Sequence, residues 1–291
     1  MSVVLAAALL TGCGKDDVER AAGVSVAEAA ERTKAKGTAR AEMTMRLTGG
    51  GTPALTLKLA GVTALDRPAG RLTVDLAQFA DAFELGKPRS GTSSAELLFD
   101  GSKLYARLPD YEVLSELSGD KEWIAIDLKP VVSAAGFDAG AWAALLTLDP
   151  SKQLEAFAAT PTLRLVGQEE LAGRKVSHYR GAYRLTDLLR SLSSEQRARV
   201  KKDLARMKEL VPDLDNPTES DMWIDDDGVI VKTAGDDEIP AADGVPAGTI
   251  SQTYELSDFG ADLDLTPPDE DDVLDYTALA IESAEKFRKT Q

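Results

Sequence analysis

The chain is poor in the residues that most often carry chemistry. Of its 291 residues, one is cysteine and one is histidine. The lone Cys13 excludes a disulfide within the chain and a zinc site built on cysteines. Aromatic residues make up only 5%, so few large side chains are available to fill an interior. Positive charge is scarce: 33 Lys and Arg against 49 Asp and Glu leave a net charge of -16 and a pI of about 4.6. Such a surface repels phosphate backbones and excludes a nucleic-acid partner. It also keeps the folded part from lying flat on anionic headgroups. Past the N-terminus, no apolar run approaches the roughly 18 residues that a spanning helix needs.

What is present is ordinary for a folded domain, with 43% hydrophobic and 28% charged residues. The N-terminus reads as an address. Val3–Leu10 is apolar, too short to span a bilayer and suited to the core of a signal peptide. It runs into Leu10-Thr11-Gly12-Cys13, which resembles the lipobox of bacterial lipoproteins. The resemblance implies cleavage after Gly12 and lipid on the Cys13 thiol, with the membrane as partner through that lipid. Met1-Ser2-Val3 carries no Lys or Arg, so the start codon is expected upstream. We therefore expect a signal peptide at 1–12, a lipidated tether at 13–24, a domain at 25–267 and an acidic tail at 268–291.

Hydrophobic period then divides the chain. Ser25-Val26-Ala27-Glu28 forms a capping-box signature ahead of an alanine-rich helix that Gly37 ends. From Thr38 the period switches to two, with Ala39, Ala41, Met43, Met45 and Leu47 on one side of a strand. Leu55, Leu57 and Leu59 repeat this after Gly49-Gly50-Gly51, and Leu72, Val74 and Leu76 repeat it again. Asp100-Gly101 marks a hairpin. A further strand is expected at Glu122–Leu128. Helices are expected at Asp138–Leu146, around Trp142, and after Asp149-Pro150, around Phe157. Strands follow at Thr162–Glu169 and Lys175–Arg184. A helix over Thr186–Leu210 repeats Val200, Leu204, Met207 and Val211 on one face. The last strands are Asp221–Asp225, Val229–Thr233 and Thr249–Ser257, and Tyr276–Lys289 reads as a short helix or a disordered end. Ten or eleven strands in mostly antiparallel hairpins, with helices between sets, mean an α+β domain.

At this point the pattern resembles a family. Trp123-Ile124-Ala125-Ile126-Asp127-Leu128, Leu171-Ala172-Gly173 with Val176-Ser177-His178-Tyr179, Trp223-Ile224-Asp225 with Asp227-Gly228-Val229-Ile230, and Tyr254–Gly260 leading to Pro267-Pro268 are similar to motifs of actinobacterial lipoproteins of the LppX/LprAFG type, which are LolA-like in fold. The resemblance implies a curved antiparallel β half-barrel with helices covering its concave face. It also implies a cavity for lipid or another hydrophobic small molecule, without a cofactor. The cavity wall is then expected at Met43, Met45, Leu47, Leu57, Leu59, Leu72, Val74 and Leu76, with Trp142, Phe157 and Leu204 as lid or floor.

Other readings are bland. His178 invites a catalytic role, but no Gly-x-Ser-x-Gly elbow is present, and Ser177 points to the opposite face of its strand. A solvated strand histidine and no enzyme activity are expected. Asp225-Asp226-Asp227-Gly228 lacks the ligand spacing of a calcium loop, since Trp223 occupies the first position, so it reads as a hairpin turn and no metal site is expected. The expected function is a lipid carrier anchored by Cys13 at the outer face of the cell membrane. The alternative is a cell-surface interaction module with a filled core and no cavity, whose protein partner the sequence does not identify.

Overall fold

The computed structural model describes residues 25–49, 54–137, 162–189, 193–210, 216–239 and 247–290. Helix α1 (Val26–Lys34) opens it. The Ser25 hydroxyl accepts a hydrogen bond from the Glu28 N–H at 3.1 Å, as the capping signature requires. The Glu28 carboxylate turns to Arg32 instead, at 2.7 Å.

The strands are β1 (Thr38–Gly49), β2 (Leu55–Ala64), β3 (Ala69–Asp75), β4 (Ser94–Asp100), β5 (Lys103–Arg107) and β6 (Trp123–Asp127) in the first half. The second half holds β7 (Arg164–Leu171), β8 (Arg174–Tyr183), β9 (Thr218–Asp225), β10 (Ile230–Ile239), β11 (Gly248–Ser257) and β12 (Val273–Asp275). All belong to one curved, unclosed sheet in the order β12-β6-β5-β4-β3-β2-β1-β11-β10-β9-β8-β7. Pairing is antiparallel except between β12 and β6. The architecture is the expected α+β half-barrel.

Helices punctuate the strands: α2 (Ala77–Ala82), α3 (Glu112–Ser118), α4 (Leu128–Ala134), α5 (Leu185–Leu188), α6 (Ser194–Leu210) and α7 (Thr277–Thr290). The helical pattern at 186–210 is thus divided, as the Ser193-Ser194 step suggests. Leu128 begins α4 rather than ending β6, because Asp127 caps that helix through the Lys129 N–H. The helices expected at 138–146 and 150–158 lie outside the described residues.

The segment after Pro268 joins the fold. β11 lies beside β1 in the middle of the sheet, whereas β12 pairs with β6 near its edge. Residues 258–272 therefore cross back over β1 to β6. The crossing begins with a hydrogen bond from the Gly260 N–H to the Thr38 carbonyl. Arg71 holds Asp264 over β3 at 3.1 Å, and Lys121 donates to the Asp271 carbonyl. Leu98 and Trp123 alternate onto this face yet are only 2% and 7% exposed, because this crossing segment runs over their side of the sheet. Helix α7 then packs on α4 and β6.

Candidate ligand-binding face

Register sorts the strand residues onto two faces of different chemistry. Met43 stands opposite Leu59 on one side and Tyr254 on the other, and Leu59 stands opposite Val74. Met45 stands opposite Leu57 and Gln252, and Leu47 opposite Leu55 and Ile250. Leu72 lies opposite Gly61. A Cβ on Gly61 would fall 2.1 Å from the Arg71 carbonyl oxygen, so the close approach of β3 requires glycine there. The structure thus brings Met43, Met45, Leu47, Leu57, Leu59, Leu72 and Val74 onto one face. Leu76 stands just past β3, at the N-cap of α2.

Packing along this face is graded. At one end Ala39, Ala41, Leu65 and Leu256 form a closed cluster, with Tyr254 and Phe259 against it. Helix α1 covers the face over the second half, where Val26, Ala29 and Ala30 pack on Tyr179, Met222, Ile224 and Ile230. The Thr33 hydroxyl fixes α1 by donating to the Ala29 carbonyl and accepting from the buried Ile230 N–H. Helix α2 packs against β2, with Ala80 buried. Between α1 and α2, Met43, Met45, Leu47, Leu55, Leu57 and Leu59 are only half-buried. Burial pushes the pKa of Tyr254 up, against the effect of its hydrogen bond with Thr63. The Tyr179 hydroxyl is buried without a partner among the described residues, and burial raises its pKa too.

Leu204 is buried on α6. Cys13, Trp142 and Phe157 lie outside the described residues. Sequence reading passed over Tyr254 and Ile250, whose even numbers place them on the same face as the odd positions of β1. The signal was the alternation within Thr249–Ser257.

The opposite face is polar and holds His178, which is 6% exposed rather than solvated. Its Nδ1 lies 2.7 Å from Glu169 Oε1 and its Nε2 2.5 Å from Asp221 Oδ1. Arg180 donates to both oxygens of Asp221, at 2.8 and 3.2 Å. The Trp223 ring stacks on His178 at 4.5 Å and donates to Glu169. Lys232 sits over Trp223 and pairs with Glu255 at 2.8 Å. Both carboxylates titrate below their ordinary values. For Glu169 the Trp223 hydrogen bond leads, followed by that of His178. For Asp221 burial works upward, and hydrogen bonds from Arg180 and His178 outweigh it. Among the described residues no nucleophile joins this group, and its hydrogen bonds fasten β7, β8 and β9 to one another. A cavity of about 660 Å³ between β3–β5 and α3 is lined by polar and apolar side chains alike, among them Glu96, Arg107, Ser115, Leu108 and Leu114.

No family model matches the chain. It is 23% identical over 194 residues to an uncharacterized 31.2 kDa protein from the rplA-rplJ intergenic region of Streptomyces griseus, a match covering 65% of the chain. The match spans about three fifths of that protein, 59%. Among solved structures, LprF from Mycobacterium bovis aligns with 86% of this chain and 97% of its own, at 13% identity and a TM-score of 0.43. The lipoprotein LppX from Mycobacterium tuberculosis aligns with 83% and 98%, at 11% identity and a TM-score of 0.42. The chain is similar to these lipoproteins. A LolA superfamily protein from Nitrosomonas europaea aligns over 85% of the chain at a TM-score of 0.26.

Proposed function

We propose that the protein is a non-enzymatic carrier of lipid or another hydrophobic molecule, held at the outer face of the cell membrane by lipid on Cys13. The observation that carries this reading is the strip of half-buried apolar residues on β1, β2 and β11 between α1 and α2. A packed core would bury Met43, Met45, Leu57 and Leu59 fully. A strip left half-open in the middle of a curved sheet has the shape and chemistry to take an acyl chain. Each methylene moved there from water contributes about 0.8 kcal/mol before the entropy costs of binding. Methionine suits such a wall, because its unbranched thioether adapts to irregular partners. Trp142, Phe157 and Leu204 complete the lid or floor in this reading.

Titration with a fluorescent fatty-acyl probe tests it. Saturable binding with an emission shift to the blue is expected, weakened by Met45→Trp. A probe that stays in water-like surroundings at all protein concentrations points to the filled-core interaction module instead.

A further inference from the structure

Rows of cross-strand partners carry the strip's face onto the second half of the sheet. Tyr179 stands opposite Met222, Met222 opposite Thr233, Thr233 opposite Tyr254, and Tyr254 opposite Met43 in the strip. In the adjoining row Ser220 stands opposite Gly235, Gly235 opposite Gln252, and Gln252 opposite Met45. A Cβ at Gly235 would fall 2.9 Å from the Ser220 Oγ, so the glycine leaves that hydroxyl its place. The hydroxyl residues Tyr179, Ser220 and Thr233 are therefore neighbours on β8, β9 and β10, where diagonal partners lie about 7–8 Å apart. Two strand spacings, roughly 10 Å, separate Thr233 from Met43.

One of the three does not fit a solid core. Tyr179 is 0% exposed, and its hydroxyl has no hydrogen-bond partner among the described residues. The side chains packed around it, from Val26, Ala29, Ala30, Met222, Ile224 and Ile230, offer no strong donor or acceptor. Tyr254, in the same row, has Thr63 for its own hydroxyl. Leaving a buried hydroxyl unpaired costs about 1–3 kcal/mol, and such groups are rare enough in folded proteins that each needs an explanation. Thr233, between Tyr179 and the strip, is only half-buried.

Charge defines what can serve as the missing partner. These two rows hold no Lys or Arg. The charge beside them is Asp237, which stands opposite Ile250 and accepts hydrogen bonds from Thr218 at 2.7 Å and Gln252 at 3.2 Å. A carboxylate or phosphate brought to these rows loses water, gains no countercharge and approaches another anion. An uncharged group with a carbonyl oxygen meets hydroxyl donors instead.

We propose that the hydroxyls of Tyr179, Thr233 and Ser220 bind the uncharged polar head of the carried molecule, an acyl ester whose chain lies along Met43, Met45 and Leu57, with the Tyr179 O–H donating to the ester carbonyl. This deepens the carrier reading and rests on it. The test uses the full chain with Cys13→Ser, so that no covalent lipid contributes. Two probes share one pyrene-labelled acyl chain: the free acid, in its ionised form, and its glycerol monoester. The parent is expected to bind the monoester about tenfold more tightly than the acid, or better. Tyr179→Phe is expected to weaken monoester binding several-fold and to leave the acid where it was. Its melting temperature without probe is expected to stay the same or rise, because the unliganded fold loses no hydrogen bond. Thr233→Val is expected to weaken the monoester in the same sense. Equal affinities of the parent for the two probes overturn the proposal. So does an ester preference that survives either substitution. A clear fall in the melting temperature of Tyr179→Phe also overturns it, since the hydroxyl then has a partner within the protein. In each of these cases a parent that still binds the acyl chain leaves the carrier reading standing. A parent that binds neither probe overturns both.

Discussion

His178 shows what one residue's sequence position reveals and what it hides. Alternation correctly sets it on the face opposite Ser177. Its burial was not legible, because its partners Glu169 and Asp221 stand 9 and 43 positions away and only strand register brings them to it. Replacing His178 by Ala leaves Asp221 with Arg180 alone and removes the ring on which Trp223 stacks. A loss of about 1–3 kcal/mol is expected from urea unfolding, with acyl-probe binding intact because the site is on the other face. A further consequence concerns pH. The pKa values of Glu169 and Asp221 are lowered on folding, so their stabilisation is complete above their unfolded values of about 4 and is lost as pH falls through the folded ones. Asp221 dominates, since Glu169 is half-exposed and screened. Unfolding curves between pH 7 and pH 3 are expected to show a steeper loss of stability for the parent than for Asp221→Asn. Parallel losses contradict the fastening role. On the apolar side, Met45→Trp is expected to cost well under 1 kcal/mol in an open strip while weakening probe uptake. In a packed core the same change costs about 1–3 kcal/mol.

Elements with a clear period were legible. The alternation of Thr38–Thr48 and Leu55–Leu59, the Asp-Gly turn at 100–101 and the Ser25 cap each follow from local physics, and each is present. Helix α2 and strand β12 were not, for opposite reasons. Ala77–Ala82 is one short turn-and-a-half whose single buried contact, Ala80, leaves no stripe to read. Val273–Asp275 has no pattern of its own and becomes a strand only through β6. Helix α1 was visible, but not its seat: Thr33 reads as a surface residue near a helix end, yet its hydroxyl links the Ala29 carbonyl to the Ile230 N–H. Thr33→Val keeps the shape and leaves that buried N–H unpaired. A destabilisation of about 1–3 kcal/mol is expected by chemical denaturation, and a change within about 0.5 kcal/mol contradicts this fastening of α1. Gly61→Ala is expected to be worse, at about 2 kcal/mol or more, because the new Cβ meets rigid backbone of β3 rather than a yielding side chain.

At the scale of the whole molecule, one sheet separates two environments. A polar face is fastened by Arg71, Glu96, Asp264, His178 and Asp221, while an apolar face is closed at one end and loosens toward the other. A broad antiparallel sheet was legible because strand count, hairpin order and one-sided alternation all require one, while its half-barrel curvature was implied only by the family resemblance. The gradient of burial along the strip was not, since it depends on where α1 and α2 come to rest. That gradient is the centre of the functional account, and native mass spectrometry tests it most directly. The protein is purified from a bacterial host in gentle detergent-free buffer and sprayed intact. Discrete adducts of lipid mass that vanish on Met45→Trp are the expected result. A single bare protein mass, unchanged after incubation with phospholipid vesicles, contradicts a strip that takes lipid.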